Sequence, residues 1–190
     1  LLPSVLVNSK ADYLVYGMGE RPIVELARAI DEGASEYHIH KIPQIGYLAP
    51  KGKTDKTDTI FLHSYEECID SKRAFVENFN IIEREANKMY PLRLVESYAK
   101  NDVVINPPFP PATEDEMDSF FDLPFTKLPH PRYKGKRIPA YDMIKFSINS
   151  HHGCFGGCSF CALTFHQGRT IQTRSHESII EEAKILTNEP

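Results

Sequence analysis

Cys154, Cys158 and Cys161 lie in one short run, Gly153-Cys-Phe-Gly-Gly-Cys-Ser-Phe-Cys161, with C-x3-C-x2-C spacing. Three thiolates so close together can hold three corners of a cubane iron–sulfur cluster and leave the fourth iron without a protein ligand. An iron with an open position can do chemistry, as a catalytic metal does by keeping a free site. Gly153, Gly156 and Gly157 remove Cβ atoms where the backbone must curl around a cubane, and they let backbone N–H groups approach its sulfides. Phe155 and Phe160 are expected to shield such a cluster from water. The same thiols also suit zinc, with His151, His152 or His166 as a fourth ligand. Zinc sites usually carry a second ligand pair further along, and none follows here.

The rest of the composition frames this site. Of four cysteines only Cys68 lies apart, so the pattern is not a disulfide framework. With no signal-peptide pattern, clustered thiols imply a reducing, cytoplasmic setting. The 190 residues, 41% hydrophobic and 25% charged, suit a globular chain of one domain or parts of two. No apolar run approaches the ~20 residues that span a bilayer. A net charge of −4 argues against broad nucleic-acid binding. The chain opens at Leu1 without Met and is expected to be a fragment of a longer protein.

The elements that must position the cysteines read as α/β. Val5–Val7 and Ala11–Tyr16 are predicted strands, the second running through Gly17-Met-Gly-Glu20 into a helix over 22–30. Strand, Gly-x-Gly, helix is half of a doubly wound unit. Glu20 suits the helix dipole, and a tight turn explains the glycines at least as well as a phosphate cradle does. Glu36–Tyr47 reads as one or two short strands, Ala49–Asp58 as a polar loop and Thr59–Leu62 as a strand. Tyr65–Met89 reads as a long helix that buries Ile69, Phe75, Val76, Phe79, Ile82 and Ala86. Asp102–Ile105 is a strand ended by Asn106-Pro-Pro.

From Asn106 to Pro139 the prolines are dense enough to prevent long helices or strands, apart from a short helix over 114–121 whose acidic start suits a helix N-terminus. Met143–Ile148 alternates as a strand does. Ser175 is a predicted N-cap for a helix through about Leu186. Strand, cysteine loop, helix would open an α/β barrel, with the loop at the strand's C-terminal end, where barrels place active sites. The expected division is 1–48, the last part of a Rossmann-like domain; 49–140, a helical segment and Pro-rich connector; and 141–190, the start of a barrel. Cys68 is expected in the core, and His130 in a structural hydrogen bond to loop backbone. Arg169 and Arg174 could meet an anionic ligand, but more often such arginines pair with carboxylates such as Glu177.

C-x3-C-x-aromatic-C, with Phe160 as the aromatic, resembles the hallmark of radical SAM enzymes. That resemblance implies a [4Fe–4S] cluster on Cys154, Cys158 and Cys161, with S-adenosylmethionine on the open iron and Phe160 near its adenine. One-electron cleavage would then give a 5′-deoxyadenosyl radical that takes hydrogen from a substrate. It also implies an electron donor of flavodoxin or ferredoxin type. Further motifs resemble the YgiQ family of radical SAM proteins: Tyr16-Gly-Met-Gly-Glu-Arg-Pro22, Asn106-Pro-Pro108, Glu116-Met-Asp118, Asp122-Leu-Pro124, Pro129-His-Pro131, Ile138-Pro-Ala-Tyr141, His166-Gln-Gly-Arg169 and Gln172-Thr-Arg-Ser175. In that family a domain similar to cobalamin-binding Rossmann domains precedes the barrel. This chain has His152 where the family usually has Arg. It lacks D-x-H-x-x-G, so cobalamin is not expected. The family's Gly-Gly-Glu motif would lie beyond Pro190, so the fragment is not expected to turn over alone. No feature names a substrate. The alternative is a binding module stabilised by zinc or a cluster, without catalysis.

Overall fold

A computed structural model describes residues 1–188 of the chain. In chain order the elements are α1 (Val5–Ser9), β1 (Tyr13–Val15), α2 (Glu20–Asp31), α3 (Glu36–Ile39), β2 (Ile45–Pro50), β3 (Thr59–Phe61), α4 (Tyr65–Asp70), α5 (Lys72–Ala86), β4 (Arg93–Tyr98) and β5 (Asn101–Ile105). They continue as α6 (Glu114–Phe121), a 3-10 turn (Pro131–Tyr133), α7 (Pro139–Ile144), β6 (His151–His152), α8 (Leu163–Gln167), β7 (Gln172–Thr173) and α9 (His176–Asn188). The chain forms two compact units. The first holds Leu1–Pro110 with Gly156–Arg169, and the second holds Pro111–Phe155 with the chain from Thr170 onward.

The first unit is built on a mixed sheet in the order β1-β2-β5-β4-β3, consistent with a Rossmann-like α/β domain. Its one parallel pair, β3 with β4, is joined through α4 and α5, as a βαβ unit requires. The other pairs are antiparallel, and β4 turns back into β5 through Ala99 and Lys100. Leu26, Ile39, Ile42, Ile45, Tyr47, Val95 and Val104 form the core against the sheet. The expected strand–turn–helix at Tyr13–Asp31 is present, with Glu20 and Arg28 at the ends the helix dipole favours. The β3 and β5 strands also stand where expected.

Several sequence expectations are corrected. Val5–Val7 is helical: β1 pairs only with β2, so this run has no ladder, and a helical turn supplies its backbone bonds internally. Glu36–Ile39 is likewise a helical turn, and the strand starts only at Ile45. The long helix divides at Ser71, whose extended backbone and side chain cap α5 by accepting from the Ala74 N–H; Ser64 and Glu67 form a capping box on α4. The α5 helix is also rotated from the expected face. Ala74, Asn78 and Glu85 are buried, while Phe75, Val76, Phe79 and Ile82 are 40–53% exposed. Polar contacts set this rotation. Asn78 Oδ1 accepts from the His63 N–H at 2.8 Å, its Nδ2 reaches His63 O and Cys68 Sγ, and Glu85 accepts from the Leu92 N–H.

The second unit is smaller. The α6 helix begins with the capping box of Thr113 and Glu116, as its acidic start suggested. Ser175 Oγ accepts from the Ser178 N–H at 3.1 Å, the cap expected for α9. Met143–Ile148 is not a strand. Pro139 starts α7 at a position its fixed φ favours, and Met143 is 83% exposed. The strand before the cysteines is instead β6, paired antiparallel with β7 as His151↔Thr173 and His152↔Gln172.

Candidate metal centre

Cys154 belongs to the second unit, two residues after β6. Gly153 has φ +88°, and a Cβ there would collide with the Thr170 carbonyl oxygen and stand 2.8 Å from its carbon. Only glycine lets this strand pass so close to the residue leading into β7. Arg174, in the same unit, is 3% exposed. Its guanidinium lies 4.2 Å from the centre of the Phe121 ring and pairs with Glu182, which also pairs with Lys127. The buried His152 ring lies 5.6 Å from the same Phe121 ring.

Cys158 and Cys161 belong to the first unit. Gly157 takes φ +61°, and the Cys161 N–H donates to the Cys158 carbonyl at 3.0 Å, so the two residues share one turn. The chain then enters α8. Gly17, at φ +68°, is tight against the backbone of α8: a Cβ on it would lie 3.3 Å from His166 O. Gln44 fastens the Tyr16–Gly19 turn by donating to Tyr16 O at 2.7 Å and Met18 O at 2.6 Å. The glycines here serve a tight strand-to-helix turn. Arg169, at the end of this segment, pairs with Glu83 at 3.4 Å.

All four cysteines are free thiols. Cys158 is exposed, Cys154 and Cys161 are half-buried, and Cys68 is buried. Burial pushes the Cys68 thiol up, which suits a core residue. Phe155 and Phe160 lie at the surface, Phe160 90% exposed, so neither is packed as a shield. His151 contacts Ser150 Oγ, and His130 accepts from the Arg132 N–H in the structural role expected for it. Arg174 pairs with Glu182 and not with Glu177. Among the described residues no three His, Cys, Asp or Glu side chains are gathered into a metal-binding group. The donor set nonetheless suits an iron–sulfur group: three unoxidised thiols on glycine-rich backbone, two of them within one turn.

The Arg174–Glu182–Lys127 group is the feature sequence reasoning missed. Its only sequence signal is the spacing of eight between Arg174 and Glu182, across the start of a helix. Burial raises the Glu182 carboxyl, but bonds from Lys127 and Arg174 outweigh it and hold the group below the usual 4.5. The stability this contributes is present in full above the unfolded value and is lost as pH falls through the lower folded one. We expect the second unit to loosen on acidification below pH 4.5, and Glu182→Gln to remove that part of the pH dependence. Amide exchange of α9 followed against pH checks this.

Residues 1–147 match the family described as Radical SAM N-terminal, and the chain belongs to that family. It is similar to a UPF0313 protein of Bacteroides thetaiotaomicron, 47% identical over 199 residues, covering 98% of this chain and 32% of that protein. A UPF0313 protein of Porphyromonas gingivalis is also 47% identical, covering 98% of this chain and 30% of its own length. One from Methanocella arvoryzae is 44% identical over 187 residues, covering 98% and 31%. The chain thus spans about a third of the length of the curated relatives it matches. No solved structure matches. Among the described residues no helix is long and apolar enough to cross a membrane.

Proposed function

We propose that this chain is part of a radical SAM enzyme of the YgiQ type, with Cys154, Cys158 and Cys161 as the ligands of a [4Fe–4S] cluster. The observation that carries the reading is the C-x3-C-x2-C run of three free thiols directly following a segment that matches Radical SAM N-terminal. When bound, the cluster would supply one electron to S-adenosylmethionine, giving methionine and a 5′-deoxyadenosyl radical that takes hydrogen from a substrate. The chain's own part is to bind and orient. Gly153 and Gly157, both at positive φ, turn the backbone at the cysteine run, and Phe160, exposed beside Cys161, would lie on the adenine side of SAM. A reducing cytoplasm keeps the thiols free, and a flavodoxin- or ferredoxin-like protein would deliver the electron. The division proposed for this stretch of the protein is 1–48, 49–140 and 141–190, as the sequence divides.

The test is anaerobic reconstitution of the full-length protein with iron and sulfide, then dithionite and SAM. We expect about four irons per chain, a brown chromophore that bleaches on reduction, and 5′-deoxyadenosine as product. Cys154→Ala, Cys158→Ala or Cys161→Ala should each abolish the cluster and the product, while Cys68→Ala keeps both. One zinc per chain and no iron would replace this reading with that of a non-catalytic binding module.

A further inference from the structure

We propose that Arg174 is the positioning residue for Cys154. The inference rests on the reading of Cys154 as a cluster ligand. The guanidinium spends all its donors inside the second unit. Nε reaches Ser178 Oγ at 3.2 Å, and Nη2 reaches Ser178 Oγ and Ser178 O at 2.9 and 3.0 Å. Nη1 reaches Glu182 and, at 3.0 Å, the Asn149 carbonyl. The main-chain N–H of Arg174 donates to the next carbonyl, Ser150 O, at 3.1 Å. A single residue therefore holds two successive carbonyls of the segment leading into β6, ahead of Cys154.

The ladder that carries this segment is short. The β6–β7 ladder comprises only His151↔Thr173 and His152↔Gln172, too short to persist unaided. Arg174 joins it to α9 through Ser178 and Glu182, and through Glu182 to Lys127 of the Pro-rich segment. Gln172 Oε1 accepts from the Ala112 N–H, and Asp118 accepts from the Ser175 N–H, so β7 and the turn into α9 are themselves tied down. The planar fork of arginine is what reaches Asn149, Ser178 and Glu182 at once, which a lysine ammonium does not. With its donors committed, Arg174 has none left for the carboxylate of a bound ligand.

The test uses the reduced full-length protein without metal, so it reads independently of cluster assembly. Each cysteine is alkylated with iodoacetamide and its rate followed by mass spectrometry, with amide exchange of α6 and α9 measured alongside. In Arg174→Gln the Cys154 rate should rise about fivefold or more while Cys158 and Cys161 stay within about twofold and α6 stays protected. Arg174→Lys, which keeps a cation for Glu182, should recover part of the difference. An unchanged Cys154 rate overturns the proposal. So does a rise in both variants that appears only together with loss of α6 protection, because the unit would then have melted as a whole. If Arg174→Gln alone melts the unit, Arg174→Lys decides: a raised Cys154 rate with α6 intact supports positioning, and a wild-type rate overturns it. Wild-type protein that takes up no iron would sink the proposed function, while these thiol rates would still report on Arg174.

Discussion

Gly153→Ala is expected to detach β6 from β7 and to cost the second unit about 3 kcal/mol or more. Two penalties combine. At φ +88° any residue with a Cβ is strained, by about 1 kcal/mol or more. The new methyl would also run into the backbone of Thr170, which cannot rotate away as a side chain could. The ladder alongside has two residue pairs, so separating the strands costs less than compressing them. Gly33→Ala is the matched comparison. Its φ is +67° and nothing lies within 4 Å of the added atom, so only the conformational penalty of about 1 kcal/mol should appear. Urea unfolding of both variants isolates the close approach. Amide exchange at residues 151–152 and 172–173 should speed about tenfold or more in Gly153→Ala alone. If the two variants unfold alike, the Gly153–Thr170 approach is not a constraint on the cysteine strand.

How much of this was legible in the sequence depends on which interactions set each element. The cysteine run, the strand–turn–helix at Tyr13–Asp31, the acidic start of α6 and the Ser175 cap announce themselves through local chemistry: thiol spacing, glycine at a turn, carboxylates in a first helical turn, a hydroxyl ahead of a helix. The rotation of α5 was not legible, because its apolar stripe is stronger than the set it buries. Asn78 and Glu85 go inward for specific distant partners, His63 and Leu92, and hydrophobic periodicity carries no information about such bonds. The same limit hid the role of Arg174. Its sequence neighbourhood shows an arginine before a serine-capped helix. Its burial depends on the ring of Phe121, some fifty residues earlier, and on a carboxylate two helical turns later. The strand expected at Met143–Ile148 failed for a related reason. Alternation makes a strand possible, but only a neighbouring strand makes it form, and β6 took that place against β7.

Asn106→Ala is expected to cost the first unit about 3 kcal/mol, a fall in Tm of about 10 °C. Asn106 opens the Asn-Pro-Pro motif, and the structure gives that motif a physical job. Its Nδ2 donates to His40 O at 2.9 Å and Ile42 O at 2.7 Å, and its Oδ1 accepts from Arg93 Nε at 3.0 Å. Its own carbonyl takes the Tyr16 hydroxyl at 2.6 Å, while Pro107 O takes the Gln44 N–H at 2.8 Å. Burial raises the Tyr16 phenol, so this donor stays protonated at neutral pH. The end of β5, the start of β4 and the α3–β2 connection thus meet at one amide side chain, while the turn after β1 bonds the main-chain carbonyl of the same residue. Alanine leaves the Ile42 and His40 carbonyls and the Arg93 donor without that partner, and Asn106 is buried too deeply for water to replace it easily. Asn106→Asp keeps the acceptor for Arg93 but turns a carboxylate toward two carbonyls, so it should recover less than half of the loss. Asn80→Ala, on the exposed side of α5, should stay within about 0.5 kcal/mol of wild type. A Tm for Asn106→Ala within about 2 °C of wild type would show that these loops hold together without the amide.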